Sequence, residues 1–336
     1  MGAVNVRDVA ALAGVSVGTV SNALNHREKV SAATWSRVAR AIEELGFVRN
    51  DAARQLRAGR SRTIGLVVPD IRNPFFSELA RGAELKASKS NLSIILANSD
   101  QSVDKEAVYL DFFEQQRVYG VLISPVGNTI SRLKTLQHRG IPTVLVDIPS
   151  TDEALSSVSV DDVQGGFIAV DHLISLDRRR IAFVGGGLDI TQVSNRLRGA
   201  SLAVSHHRGV TLESIFAPAL TVLEGRQIGS EIWKRDRSDR PDAIFAANDL
   251  TAIGVLQGLT ERDSTIRIPG DIALVGYDDI DFAAATAIPL SSVQQPNSLI
   301  GQTAIEILLE EADKPDQAAR HVVYPPELIA RASTIG

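Results

Sequence analysis

Val6-Arg-Asp-Val-Ala-Ala-Leu-Ala-Gly-Val-Ser-Val-Gly-Thr-Val-Ser-Asn-Ala-Leu-Asn25 is the stretch from which the rest of the chain can be read. Asn5, just ahead of it, is suited to cap a first helix through Ala13, in which Val6, Val9, Ala10 and Ala13 recur at intervals of three and four. Gly14 breaks that helix, and Val15 is the small apolar residue that a tight turn buries. Ser16 caps a second, short helix in which Val20, Ala23 and Leu24 share one face. Ser31 caps a third helix through Leu45, with Trp35, Val38, Ala39, Ile42 and Leu45 as its apolar stripe, and Gly46 ends it. Helix, tight turn, helix and supporting helix is the helix-turn-helix arrangement, whose second helix enters the major groove of DNA.

On the second helix, Gly18, Ser21, Asn22 and Asn25 lie away from the Val20–Leu24 stripe and are placed to face DNA. Asn reads adenine through a bidentate pair, so Asn22 is the best base-reading candidate. Val17 sits close to the core side of the wheel, but at the first turn it can instead touch a thymine methyl. Taken singly, each polar residue fits plain solvent exposure as well. Their grouping on a basic unit favours the groove.

The charge supports that choice. Residues 1–62 carry nine Arg and one Lys against five acids, whereas the remainder carries 25 basic and 35 acidic residues. A basic head on an acidic body suits a head that meets a polyanion. Between Arg49 and Arg62 five Arg are opposed by Asp51 alone. The full chain has 336 residues, 44% hydrophobic and 22% charged, which is enough for about two domains with packed cores. No run approaches the roughly 18 apolar residues of a membrane span, and Met1 to Arg7 has no signal-like apolar region. Cysteine is absent, which excludes disulfides, thiol nucleophiles and cysteine metal sites. A soluble, cytoplasmic protein is expected.

From Thr63 onward apolar runs alternate with helical segments. Ile64–Val68, Ser93–Ala97, Val121–Ile123 and Thr143–Val146 read as strands, with helices starting near Pro74, Asp104 and Thr129. A second series follows at Arg180–Val184, Ala243–Ala246 and Ile272–Val275. Such alternation predicts two doubly wound α/β lobes with a ligand site between them, at the strand C-terminal ends. Enzyme motifs fail inspection. Gly185-Gly-Gly187 follows a strand, but Ile190 occupies the last glycine position of a dinucleotide fingerprint. No phosphate-binding loop, nucleophile elbow or zinc-spaced histidine pair is present. The carboxylate pairs Asp161-Asp162 and Asp278-Asp279 more simply cap helices or accept ligand hydroxyls. No catalytic residue, cofactor or metal is therefore expected.

The quoted run, continued by Val30-Ser31, Thr34, Val38 and Glu44-Leu45-Gly46-Phe47, resembles the headpiece of the LacI/GalR family of transcription regulators. The likeness extends through the body: Asp70-Ile-Arg-Asn-Pro-Phe-Phe76, Asp162-Val-Gln-Gly-Gly166, Asn195-Arg-Leu-Arg-Gly199, Ala247-Asn-Asp249 and Val275-Gly-Tyr-Asp-Asp279 occur in family order. It implies that Val17, Gly18 and Asn22 read bases, which turns Val17 toward the groove. It also implies that Asn50–Gly59 is a hinge helix, too short to be stable alone, that folds against its dimer mate on DNA. Leu56 then acts as a minor-groove wedge, with Arg54 and Arg57 near phosphates. The DNA-contact set is thus Ser16, Val17, Gly18, Thr19, Ser21, Asn22 and Asn25, with Asn50, Arg54, Leu56 and Arg57 from the hinge.

The resemblance further implies effector contacts at Phe75, Asp147, Arg196, Asn248 and Asp278, with Asn98, Asp100, Ser124 and Phe282 as weaker candidates. Two departures stand out. Arg49 replaces the usual proline before the hinge, and Ile148-Pro149 replaces the arginine that follows Asp147 in many sugar-binding relatives. That change speaks against a simple hexose pocket and leaves a pentose, a nucleoside or another small molecule open. The implied architecture is a three-helix headpiece over 1–49, a hinge over 50–62, one lobe from 63–160 with 291–323, and a second from 161–290 with 324–336. The two lobes resemble periplasmic binding proteins. The expected protein is a homodimeric, effector-controlled repressor of sugar or nucleoside utilisation genes on a pseudo-palindromic operator. With no leucine-heptad tail after the last family motif, tetramers are not expected.

Overall fold

The computed structural model describes residues 4–47, 60–261 and 265–336. The chain divides into two compact units, one up to Ser61 and one from Arg62 onward. In the first, α1 (Val6–Ala13), α2 (Val17–Asn25) and α3 (Ala32–Leu45) enclose a small core of Val9, Ala10, Ala13, Val20, Ala23, Val38 and Ala41. Each helix starts on a side-chain cap. Asn5 Oδ1 accepts the Arg7 amide while Asp8 takes the Asn5 amide, and Ser16 and Ser31 accept the amides of Thr19 and Thr34. Gly14, at φ 64°, supplies the left-handed turn between α1 and α2, a conformation that a side chain would strain.

The second unit contains two six-stranded sheets. Sheet 1 runs β11-β5-β4-β3-β1-β2 and sheet 2 runs β12-β10-β9-β8-β6-β7. The strands of sheet 1 are β1 (Thr63–Val68), β2 (Ser93–Asn98), β3 (Gly120–Ile123), β4 (Thr143–Val146), β5 (Ser157–Val160) and β11 (His321–Tyr324). Those of sheet 2 are β6 (Arg180–Gly185), β7 (Thr211–Phe216), β8 (Ala243–Ala246), β9 (Ala273–Asp278), β10 (Ser291–Gln294) and β12 (Glu327–Ile329). All pair in parallel except β10 with β12. Strand for strand, β1–β5 of one lobe correspond in order to β6–β10 of the other.

Both faces of each sheet are covered, so the inner strands are buried on both sides. In sheet 1, Ile64, Leu66 and Val68 meet α4 (Pro74–Ala87) and α12 (Asn297–Asp313), while Val67, Val121 and Ile123 meet α5 (Val103–Gln115) and α6 (Ile130–His138). In sheet 2, Ile181 and Phe183 meet α7 (Asp162–Ser175) and α8 (Thr191–Ser205). Ala182 and Val184 face α9 (Val222–Lys234) and α10 (Asp249–Leu259) on the other side. Two short helices, α11 (Asp281–Ala285) and α13 (Ala332–Ile335), complete lobe 2.

The chain passes from lobe 1 to lobe 2 after β5, returns after β10 and leaves again after β11. The second passage therefore lies at Gln295-Pro296, not near 290 as expected. Residues 291–294 belong to sheet 2, because β10 pairs with β9 and Ser291 Oγ bonds to Thr334 and Arg331 of the same lobe. Tyr324 likewise closes β11 of sheet 1 and does not open lobe 2. The strands absent from the sequence reading, such as β5 and β7, carry Ser, Thr or Glu at alternate positions and show no apolar run.

Helices α7 and α8 approach so closely that their glycines meet backbone directly. A β-carbon on Gly199 would overlap the Val163 carbonyl, and one on Gly166 would overlap that of Arg196. Gly199→Ala is accordingly expected to destabilise the second unit by about 1–3 kcal/mol, the cost of overpacking a tight contact, as measured by urea unfolding. An unchanged midpoint would refute that packing.

Candidate functional site

In the first unit the exposed face of α2 carries the candidate DNA contacts. Val17 is 42% exposed, Gly18 and Asn22 are exposed, and Ser21 is half-buried. Ser16 and Thr19 are engaged at the helix start, their hydroxyls 2.9 Å apart. The Asn25 amide donates to the Ser21 carbonyl at 2.8 Å, along its own helix. Asn22 is thus the better placed of the two asparagines to reach a base. Arg27 stacks 4.8 Å from the centre of the Trp35 ring. The expected hinge contacts Asn50, Arg54, Leu56 and Arg57 lie outside the described residues.

In the second unit a cavity of about 590 Å³ lies between the lobes. Segments following β1, β2, β3 and β4 of lobe 1 and β6, β7 and β8 of lobe 2, with the last residue of β9, line it, so it occupies the C-terminal edges of both sheets. Phe75, Ser124, Asp147, Arg196, Asn248 and Asp278 are all among its walls.

Arg196 is the electrostatic centre. Its Nε donates to Asp162 at 2.7 Å, one terminal nitrogen donates to the Ala247 carbonyl at 2.6 Å, and that nitrogen lies 3.8 Å from Asp278. The guanidinium lies 3.6 Å from the centre of the Tyr277 ring. Burial works against its charge, but Asp162, Tyr277, Asp278 and Asp147 outweigh burial and raise its pKa. The glycine contact of α7 and α8 is what brings Arg196 onto Asp162.

Asp147 and Asp278 occupy matching places at the ends of β4 and β9, both with left-handed backbone, φ 67° and 103°. Each accepts a hydrogen bond from the opposite lobe. Gln192, on α8, donates to Asp147 Oδ2 at 2.6 Å, and Asn73, which caps α4, donates to Asp278 Oδ2 at 3.0 Å. Gln295 holds the other oxygen of Asp278 at 2.8 Å. Burial, then repulsion from Asp162 and Asp278, pushes the Asp147 carboxyl well above the usual carboxylate range. Burial also raises Asp278 and Asp162, against the pull of Arg196. Ser124 Oγ is buried without a hydrogen-bond partner.

Three expected residues lie outside the cavity walls. Asn98 ends the edge strand β2 and accepts the Ile71 amide at 3.2 Å. Asp100 pairs with Lys105 at 2.8 Å. Phe282 lies on α11, 58% exposed. The strand β2 flanks β1 at the sheet edge, so from this side the loop reaches the cavity only through Gln101. Asn73 and Gln192 were not anticipated, although each had a signal. Asn73 precedes proline at a helix start, which frees its amide nitrogen once its oxygen caps. Gln192 stands four residues before Arg196, on the same helical face.

A helix-turn-helix unit in one chain with a two-lobed ligand cleft defines a DNA-binding regulator controlled by a small molecule. The comparisons with known proteins agree. Residues 5–50 match the model of bacterial regulatory proteins of the lacI family, and residues 170–334 that of a periplasmic binding protein-like domain. The chain is 32% identical to the HTH-type transcriptional repressor PurR of Aliivibrio fischeri strain MJ11, over 98% of each. It is similar to the lac repressor dimer bound to operator and the anti-inducer ONPF, at 25% identity and TM-score 0.85 over 100% of both chains. A LacI family regulator from Enterococcus faecium with bound ribose is 30% identical, with TM-score 0.73 over 81% of this chain and 98% of that one. The chain belongs to the LacI family: it is an effector-responsive, DNA-binding transcriptional repressor and not an enzyme. Among the described residues no helix is long and apolar enough to cross a membrane.

The buried carboxyl of Asp147 yields a signed pH effect. A group whose folded pKa is raised costs stability as pH climbs from the ordinary carboxylate range toward that folded pKa. Asp147→Asn is expected to raise the Tm at about pH 7.5, with the gain shrinking toward about pH 4, where the wild-type carboxyl holds its proton. A gain independent of pH in thermal melts would show that Asp147 ionises freely in the folded chain.

Proposed function

We propose that this repressor acts in the cytoplasm as a homodimer on a pseudo-palindromic operator, and that a small polyhydroxylated effector, a sugar or nucleoside, binds between its lobes. The carrying observation is the cleft itself: a cavity of about 590 Å³ lined by paired carboxylates, an unpartnered Ser124 hydroxyl and the aromatic Phe75. That volume lies in the range of small-molecule sites, where a few converging polar groups fix orientation. Carboxylates and amides suit vicinal hydroxyls, and an aromatic ring suits the apolar face of a sugar. The ribose bound to the Enterococcus faecium regulator supports the same class of ligand.

Exposed apolar residues in lobe 1 support a dimer. Ile95 and Leu96 on edge strand β2, and Val103, Val108 and Phe112 on α5, lie open to solvent in the single chain. An apolar edge strand is an invitation to pairing that a second copy would cover. The lac repressor, similar over its whole length, is a dimer on its operator. In this reading Ser16, Val17, Gly18, Thr19, Ser21, Asn22 and Asn25 meet the major groove. Asn50, Arg54, Leu56 and Arg57 meet the centre of the site. Effector binding shifts the lobes and alters the hinge over 50–62.

The test is operator binding by fluorescence anisotropy, with and without candidate sugars and nucleosides. Asn22→Ala is expected to weaken operator binding by about 1–3 kcal/mol and to relax preference at one base pair per half-site. The salt dependence should not change, because no phosphate contact is removed. Equal loss on every DNA sequence would assign Asn22 to the backbone and remove it from base reading.

A further inference from the structure

We propose that the cleft selects its effector by charge, accepting an uncharged or amine-bearing polyhydroxyl ring and rejecting anionic counterparts such as phosphorylated or carboxylated sugars. This rests on the reading of the cleft as the effector site, and three features of its wall lead to it.

The first is the charge balance. Among the described residues that line the cavity, Asp70, Asp147, Asp189 and Asp278 are acidic, and Arg196 is the single cation. The Arg196 charge is already set against Asp162 at 2.7 Å, which is itself buried. Arg72 offsets Asp70 in a two-point pair and is itself committed there, so an anion entering here meets the carboxylates of Asp147, Asp189 and Asp278, on both lobes, and no uncommitted positive side chain among the lining residues.

The second is hydrogen-bond polarity. Asp147 and Asp278 now accept amide protons from Gln192 and Asn73 across the cleft. A ligand lodged between the lobes has to bring donors to those oxygens. Hydroxyl and ammonium groups donate, whereas a dianionic phosphate or a carboxylate only accepts.

The third concerns the helix ends, where anions usually settle. At α4 the first-turn amide of Phe75 bonds to the side chain of Asn73, and at α10 that of Thr251 bonds to Asn248. The first turn of α10 also carries the buried carboxylate of Asp249. Helix α8 has no side-chain cap, but Asp189 stands two residues ahead of it and lines the same wall.

Calorimetric titration of the full-length repressor with matched pairs tests this: ribose against ribose 5-phosphate, adenosine against its 5′-monophosphate, and glucose against glucuronate and glucosamine. Binding is expected only for uncharged or amine-bearing members, with each anionic partner at least about tenfold weaker, a gap of about 1.4 kcal/mol. Asp147→Asn, which keeps the acceptor for Gln192 and removes one charge, is expected to narrow the gap. An anionic member that binds as well as its neutral partner would overturn charge selection while leaving the cleft as the effector site. A gap that Asp147→Asn leaves untouched would overturn its assignment to the cleft carboxylates. Silence from every member would reject both this inference and the sugar or nucleoside reading beneath it.

Discussion

The two lobes are tied by one interaction made twice: an amide from the first β–α segment of each lobe donates to an aspartate at the end of the fourth strand of the other. Asn73 reaches Asp278 and Gln192 reaches Asp147. The arrangement follows from the duplicated strand order, which places equivalent loops opposite one another across a single cleft. Donors of this kind relieve the acceptor demand of buried carboxylates, which would otherwise be costly. Because each bond joins the two lobes, pulling the lobes apart breaks both.

The lobes are nevertheless unequal. Lobe 2 contains its own compensation, with Asp162, Asp278 and the Tyr277 ring gathered around Arg196. Among the described residues lining the cavity, lobe 1 offers Asp147 no cation, so the positive charge that offsets it comes from Arg196 of lobe 2. Separating the lobes therefore leaves Arg196 and Asp162 paired but strips Asp147 of both its donor and its countercharge. Both aspartates lose a donor when the lobes part, but only Asp147 also loses its countercharge, so the electrostatics of lobe 1 change more with closure.

The fold was legible wherever physics writes into local sequence. Asn5, Ser16, Ser31, Gly14 and Gly46 marked the helix ends because capping and left-handed turns admit few residue types. Doubly buried strands stood out as apolar runs. The mostly exposed edge strand β7, the serine-rich β5, one of whose partners lies more than a hundred residues away, and the position of β10 in sheet 2 did not, because polar side chains leave no apolar run to read. At the cleft, the strand-end residues Asp147 and Asp278 and the helical Arg196 could be placed by family resemblance, and the structure brings them together. Asn98 and Asp100, carried over by the same resemblance, lie at edge strand β2 outside the cavity walls, where Asn98 accepts the Ile71 amide and Asp100 pairs with Lys105. Gln192 and Asn73 escaped because an amide acquires a role only when the opposite lobe supplies the acceptor.

The same bonds set the terms on which an effector can act. A ligand shifts a conformational equilibrium only by the difference in its affinity for the two states. One that merely filled space between the lobes would favour closure through burial alone. One that presents donors to Asp147 and Asp278 competes with Gln192 and Asn73, so it changes the bonds on which closure already depends. The cost of displacing those amides falls in the state they stabilise, and the gain comes from the ligand's own donors and from the free Ser124 hydroxyl. The balance between the two sets how far such a ligand shifts the lobes between open and closed states. A cleft already bonded from lobe to lobe is thus sensitive to which donors a ligand brings to its two aspartates.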